Sequence, residues 1–244
     1  MNIDLTIILS VYKRPWALET QYDSILSQSV KPKEIIISQN ESDNFKIPKH
    51  ISDNCKVFSS NYNWGVWSRF SAAMNAKTGY IMILDDDTIP GHRWIENCQS
   101  TFNSRSDAGV LGTVGIVNQD LNYLNYERVG WPEPNNLIEE VDFAGHAWCF
   151  PRELLIEFWK SASIGRHDLS GEDVNLSFAA QQLGLKTYVP PHPKDDMSLW
   201  GSQPDTAMQL GVDNNAISVN YHGSHFGQNL KDYKEKGFKY INKL

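Results

Sequence analysis

The chain has 244 residues, 41% of them hydrophobic, and a net charge of −7 from 22 Lys and Arg against 29 Asp and Glu. A chain of this length buries a large core without disulfides or a structural metal. Its acidic balance argues against nucleic acid as the main partner, because phosphate contacts need a basic face. Cys55, Cys98 and Cys149 are odd in number, widely spaced and lack a CxxC pair. That pattern points to a reducing, cytoplasmic setting without a zinc site. Ile3 to Val11 is too short to span a bilayer and lacks the basic start and cleavage site of a signal peptide.

Strand and helix signals alternate through the first half. Leu5 to Ser10 reads as a strand, and Tyr12-Lys13-Arg14-Pro15 as a turn, with Pro15 in the first turn of a helix reaching Gln28. Glu34 to Ser38 carries Ile35-Ile36-Ile37, a buried-strand signature. A polar stretch from Gln39 to Asn54 follows, then a brief strand from Cys55 to Phe58. Val66 to Ala76 reads as a helix ending near Gly79, and Tyr80 to Leu84 as a strand running into Asp85-Asp86-Asp87. Continuous apolar strands separated by helices imply a parallel sheet covered on both faces. Ligands of such sheets bind beyond the carboxyl ends of the strands. Tyr12–Arg14, Gln39–Glu41 and Asp85–Asp87 are therefore expected to line one crevice.

The second half is less regular. Val110 to Val117 and Val141 to Phe150 are expected strands, with a loop from Asn118 to Asn136 for substrate contact or a lid. Pro151 to Ser161 and Glu172 to Leu183 are expected helices, Lys186 to Val189 the last strand, and Asn229 to Leu244 a basic terminal helix. Without internal repeats or a linker, one domain is expected. About residues 1–100 are expected to form one half of it, about 101–228 the other, and 229–244 the terminal helix.

Three adjacent aspartates raise one another's pKa, and burial raises them further. A divalent cation reverses that cost, and hard carboxylate oxygens suit Mg²⁺ or Mn²⁺, which then bridge to substrate phosphates. In an extended segment Asp85 and Asp87 would point to one side and Asp86 to the other.

Ile7 to Pro15 resembles the opening strand and turn of family 2 nucleotide-sugar glycosyltransferases of the GT-A fold, an α/β architecture with a mostly parallel, Rossmann-like central sheet. Asn63-Trp64-Gly65, Arg69, Asn75, Gly79 and Tyr80 to Asp87 resemble their next segment in order. Ser68-Arg69-Phe70 with Leu84 to Thr88 also looks like the exostosin-type transferases, which retain configuration. The resemblance implies transfer of a sugar from a nucleoside diphosphate, UDP foremost, to a glycan or lipid-linked acceptor, with Mn²⁺ or Mg²⁺ as cofactor.

That resemblance places Ser10, Val11, Tyr12 and Arg14 at the nucleotide base, with Asn40 on the neighbouring strand, where Ser38-Gln39-Asn40 stands in place of an acidic base-gripping segment. Arg69 would approach the nucleotide or its phosphates. Asp85 and Asp86 would face the sugar nucleotide, and Asp87, with Asp85, would ligate the metal. Gly171-Glu172-Asp173 resembles the acidic pair at a helix start in inverting members, with Asp173 the first choice of base and Glu172 the second; a helix dipole alone accounts for one of them. Gly145, His146 and Trp148 would meet the donor sugar and acceptor, Trp148 by stacking. His192 is placed to complete the metal shell, in competition with His222 and His225. Retention of configuration, with Asp173 orienting the acceptor, is the alternative within the same fold. An inactive carbohydrate-binding domain is the alternative of another class. Lys231, Lys234, Lys236, Lys239 and Lys243 bias the tail towards a solvated helix face or peripheral contact with an anionic membrane.

Overall fold

Runs of buried aliphatic residues fix the central layer. In the computed structural model, which describes residues 3–41, 45–162, 170–206 and 224–244, β1 (Leu5–Val11) pairs in parallel with both β2 (Glu34–Asn40) and β4 (Tyr80–Leu84), and β3 (Lys56–Ser60) extends the sheet beyond β2. Ile7, Ile8 and Leu9 are fully buried, each contributing about 1.5–3 kcal/mol. Their run is continuous because both faces are covered. Ile7 and Leu9 pack with α1 (Leu18–Leu26) and α4 (Trp94–Ser104), and Ile8 packs with α3 (Ser68–Ala73) and α5 (Leu154–Ser161). Pro15 opens a short 3₁₀ turn leading into α1, in keeping with its fixed φ and missing donor. A single helical turn, α2 (Lys49–Ser52), precedes β3.

The sheet continues as β10 (Trp148–Pro151), β5 (Ala108–Leu111), β11 (Lys186–Val189) and β8 (Glu139–Val141), giving eight strands in the order β3-β2-β1-β4-β10-β5-β11-β8. β10 runs antiparallel to β4 and β5, and β8 antiparallel to β11, so the parallel pattern holds in the first half and breaks in the second. Three further strands, β6 (Val114–Asn118), β7 (Tyr126–Gly130) and β9 (Phe143–Gly145), form a small antiparallel sheet ordered β7-β6-β9. One face of it packs Ile116 and Phe143 against α6 (Glu172–Gln182) and α7 (Ser224–Glu235); the other meets Val141 and Val189 of the large sheet.

Four second-half expectations change. The strand expected over Val110–Val117 is two strands in different sheets, parted at Gly112-Thr113, and Val141–Phe150 likewise divides among β8, β9 and β10. The expected loop at Asn118–Asn136 contains β7, whose turn is organised by Asp120 accepting from the backbone N–H groups of Asn122, Leu124 and Asn125. Among the described residues the terminal helix spans Ser224–Glu235; the chain then folds back, burying Phe238 and Tyr240. Among the described residues no helix is long and apolar enough to cross a membrane.

Candidate active site

The parallel register brings the carboxyl ends of β1, β2 and β4 to one edge, and the side chains there form two polar clusters. In the first, Asn63 is the hub. Its amide donates to the Tyr12 hydroxyl at 2.8 Å, and its Oδ1 accepts from Asn40 Nδ2 at 2.9 Å. Asn40 Oδ1 accepts from Trp64 N at 3.0 Å. Tyr12 and Asn40, remote in sequence, thus share one turn. Val11 is buried, and Ser10 Oγ is buried without a hydrogen-bond partner among the described residues.

The acidic triplet is the second cluster. It is a turn, not an extension of β4: Thr88 N donates to Asp85 O, and Gln21 of α1 clamps the loop by donating to the carbonyls of Asp85 and Thr88 at 2.7 and 2.9 Å. The expected division of the triplet into two sides therefore fails. Asp86 and Asp87 share Arg14, whose Nη1 lies 2.8 Å from Asp86 and 3.5 Å from Asp87. Asp85 turns to Arg69 at 2.9 Å. Burial, then the charges of Asp85 and Asp86, push the Asp87 carboxyl up to about 7, and burial also raises Asp86 despite Arg14.

Arg69 ties this turn to the other acidic motif. Its Nη1 meets Asp85 and its Nη2 meets Glu172 at 2.7 Å, across 103 residues. The guanidinium also lies 5.0 Å from the ring centre of Trp148. Glu172, at the start of α6, is buried, and its pKa rises to about 7 through desolvation, with Arg69 pulling the other way. Asp173 beside it has a buried Oδ1 without a hydrogen-bond partner among the described residues, and burial followed by the Glu172 charge raises its pKa well above the carboxylate range. Gly171 takes φ +103 at the helix N-cap. A side chain there would also meet Asn229 at about 3.0 Å, so the sharp entry into α6 needs glycine.

Gly145 ends β9 with its bare face towards this pair; a Cβ there would lie 3.9 Å from Asp173 Oδ2. His146 and Ala147 then turn the chain with φ of 22 and 51, conformations that non-glycine residues adopt at a cost and that cluster at functional sites. The turn delivers His146 Nδ1 to within 3.3 Å of Thr88 Oγ1, and burial lowers the imidazole pKa to about 4, leaving it neutral.

Two sequence expectations meet a different geometry. Trp148 offers no open face to a sugar: it is 1% exposed, donates to Ala144 O at 2.6 Å and forms the floor beneath Arg69. His192 is fully buried between Trp94 and Trp200. Its Nδ1 lies 2.7 Å from Pro190 O, and its Nε2 lies 2.8 Å from Thr113 Oγ1 and 3.3 Å from Gly201 N, so both nitrogens are engaged within the protein. His222 and the side chain of His225 lie outside the described residues.

Among the described residues no group of three His, Cys, Asp or Glu side chains is arranged to hold a metal ion. The donor chemistry of the triplet nonetheless fits one. Mg²⁺ and Mn²⁺ are commonly held by one or two carboxylates and complete their shells with water and substrate phosphates, and Asp87 is the least tightly paired of the three acids. Sequence reasoning missed Gln21, Thr88 and the acidic partners of Arg14. Of these only Arg14 carried a signal, as a residue of the turn after the first strand that the resemblance places at the nucleotide.

The family model for glycosyl transferase family 2 matches residues 6–157. The chain belongs to that family. The match takes in β1, the Asn63 turn, Arg69, the acidic triplet, and Gly145 to Trp148. Among solved structures this family 2 chain resembles GalNAc-T7, crystallised with UDP, GalNAc and Mn²⁺, at a TM-score of 0.59 and 16% identity. The likeness shows the fold, which is GT-A. It covers 87% of this chain and 48% of that one, so the chain spans about half the length of that solved relative. No curated protein matches.

Proposed function

We propose that the chain is a single catalytic unit that transfers a sugar from a nucleoside diphosphate, with UDP as carrier, to a glycan or lipid-linked acceptor. The observation that carries this reading is Arg69, which joins Asp85 of the acidic turn to Glu172 of the acidic helix start. The donor end and the proton-accepting end thereby become one site. The crystallised GalNAc-T7, which carries UDP, GalNAc and Mn²⁺, supports the choice of ligands.

In this reading Tyr12, Arg14 and Asn40 bound the nucleotide pocket, and Asp87, with Asp85, would hold a divalent cation. When bound, the cation supplies positive charge opposite the leaving diphosphate. The protein residues do the rest. Gly145, which carries no side chain towards Asp173, would let the sugar approach the backbone there. The acceptor hydroxyl oxygen bonds to the anomeric carbon while the bond from that carbon to the diphosphate oxygen breaks. The bonding pair leaves with the nucleoside diphosphate, and the hydroxyl proton passes to the Asp173 carboxylate, which lies beside Gly145. This in-line course inverts the anomeric configuration.

Thermal unfolding in the presence of UDP, GDP or ADP, with and without MnCl₂, tests the reading. Saturation near a hundred times Kd adds about 2.7 kcal/mol, which for a chain of this length is a rise of roughly 5–11 °C. UDP with Mn²⁺ should give that rise, and Asp87→Ala should remove it. An unchanged midpoint in the wild-type chain under every condition would sink the proposal.

A further inference from the structure

The β6–β7 hairpin presents a row of aromatic and cationic side chains to the face of the small sheet that holds Asp173. Register fixes this arrangement. Gly145, Val114 and Gly130 form one cross-strand row, Phe143, Ile116 and Arg128 the next, and Asn118 and Tyr126 the third. Directly paired residues share a face, as do residues two apart. Ile116 and Phe143 point towards α6, so Arg128 and Tyr126 lie on that side too. The first row is level with the catalytic pair, since the bare face of Gly145 looks onto Asp173.

The row is held stiffly. Tyr123 and Tyr126 stack at 4.6 Å and 18°, and Phe226 stacks on Tyr123 at 5.1 Å and 25°. Tyr126 is the outermost of the three rings and is 41% exposed. Arg128 donates from Nε to Trp131 O at 3.0 Å and lies 5.3 Å from the centre of the Trp131 ring, which meets His146 edge-on at 5.2 Å. Arg128 is exposed, and among the described residues no carboxylate pairs with it and its Nη groups make no hydrogen bond. Asp173 is near enough to Tyr123 to add to the burial that raises the phenol's pKa.

We propose that Tyr126 and Arg128 form a distal acceptor subsite for an oligosaccharide, with a sugar ring lying on Tyr126 and its oxygens meeting Arg128. Flat aromatic faces take the C–H face of a sugar, while a guanidinium fork serves its oxygen atoms. Distance sets the class of acceptor. Two rows along the strands and two strands across put Tyr126 roughly 16 Å from Gly145, a span that one pyranose ring cannot bridge. The unit that reacts at Asp173 is then the end of a chain whose body rests on the hairpin.

This inference rests on the glycosyltransferase reading, and the experiment separates the two. Full-length protein is applied to a printed glycan array with UDP and MnCl₂, while UDP affinity is measured by titration calorimetry. The wild-type chain should bind oligosaccharides and not the matching monosaccharides. Tyr126→Ala and Arg128→Ala should each weaken that binding by about tenfold or more, with UDP affinity held within about twofold. Tyr126→Phe, which keeps the ring, should bind as the wild type does. UDP binding without any glycan binding, equal binding of monosaccharides, or unchanged glycan affinity in both alanine variants would overturn the subsite. Absence of UDP binding by the wild-type chain would overturn the underlying reading and the subsite with it.

Discussion

Replacing Arg69 by leucine tests whether the bridge between Asp85 and Glu172 holds the site together. The guanidinium is 15% exposed, Glu172 8% and Asp85 28%. Removing one partner of a buried ion pair costs about 3–5 kcal/mol, because the remaining charge is left uncompensated. The partial exposure of Asp85 places the expected loss at the low end, about 3 kcal/mol, a fall in unfolding midpoint of about 6–12 °C. The loss should depend on pH with a definite sign. Glu172 titrates near 4.5 when unfolded and near 7 when folded, and Arg69 holds the folded value down. In Arg69→Leu the folded value rises further. A group that binds more protons in the native state makes stability fall as pH rises, so the variant's deficit should be small near pH 4.5 and greatest above about pH 7. Circular-dichroism melts of both chains across this range measure it. A deficit independent of pH, or one below about 2 °C throughout, would show that the bridge does not carry the charge balance.

Asp173→Asn keeps the shape of the side chain but cannot accept the proton. Acceptor-dependent UDP release should fall by about 10²–10⁴-fold with donor affinity unchanged, and a loss under about tenfold would remove Asp173 from the proton transfer. His192 should behave as a core residue: His192→Ala leaves Thr113 Oγ1 and Gly201 N without their partner and should cost about 2–4 kcal/mol in urea unfolding. Mn²⁺ affinity of folded His192→Gln, measured by calorimetry with UDP present, should match the wild type; a clear weakening would return His192 to the metal shell.

What could be read from the chain, and what could not, divides by the range of the interactions. β1, β2 and β4 announce themselves because strands covered on both faces are apolar throughout, and the parallel register then forces their polar tails to one edge. Lys186–Val189 also matches its expected bounds, marked by the strand-favouring and buried Thr187, Tyr188 and Val189. α4 was not read, although Trp94, Ile95, Cys98 and Phe102 mark its buried face, because polar residues fill every gap between them. The turn of Asp85–Asp87 depends on Gln21, 64 residues earlier in the chain. Arg69 is expected from the sequence to approach the nucleotide or its phosphates, but only the fold shows that its Nη1 and Nη2 meet Asp85 and Glu172. His192 fitted a family position, and only its neighbours Thr113, Pro190 and Gly201 show how fully it is engaged.

The five carboxylates of the site, Asp85, Asp86, Asp87, Glu172 and Asp173, face two guanidiniums, Arg14 and Arg69. Burial and mutual repulsion push four of the five above their ordinary range, so the protein's own groups favour the uptake of positive charge, as protons or as a cation. A nucleoside diphosphate brings negative charge and, arriving alone, would worsen the imbalance. Donor affinity should therefore require the cation, not merely increase with it. In metal-free buffer near neutral pH, UDP should bind at least tenfold more weakly than with Mn²⁺, a difference of about 1.4 kcal/mol or more. Acidification towards pH 5 should narrow the gap, because protons then take over part of the neutralisation that the cation provides. Equal UDP affinity with Mn²⁺ and with excess chelator at neutral pH would mean that the two arginines alone balance the site.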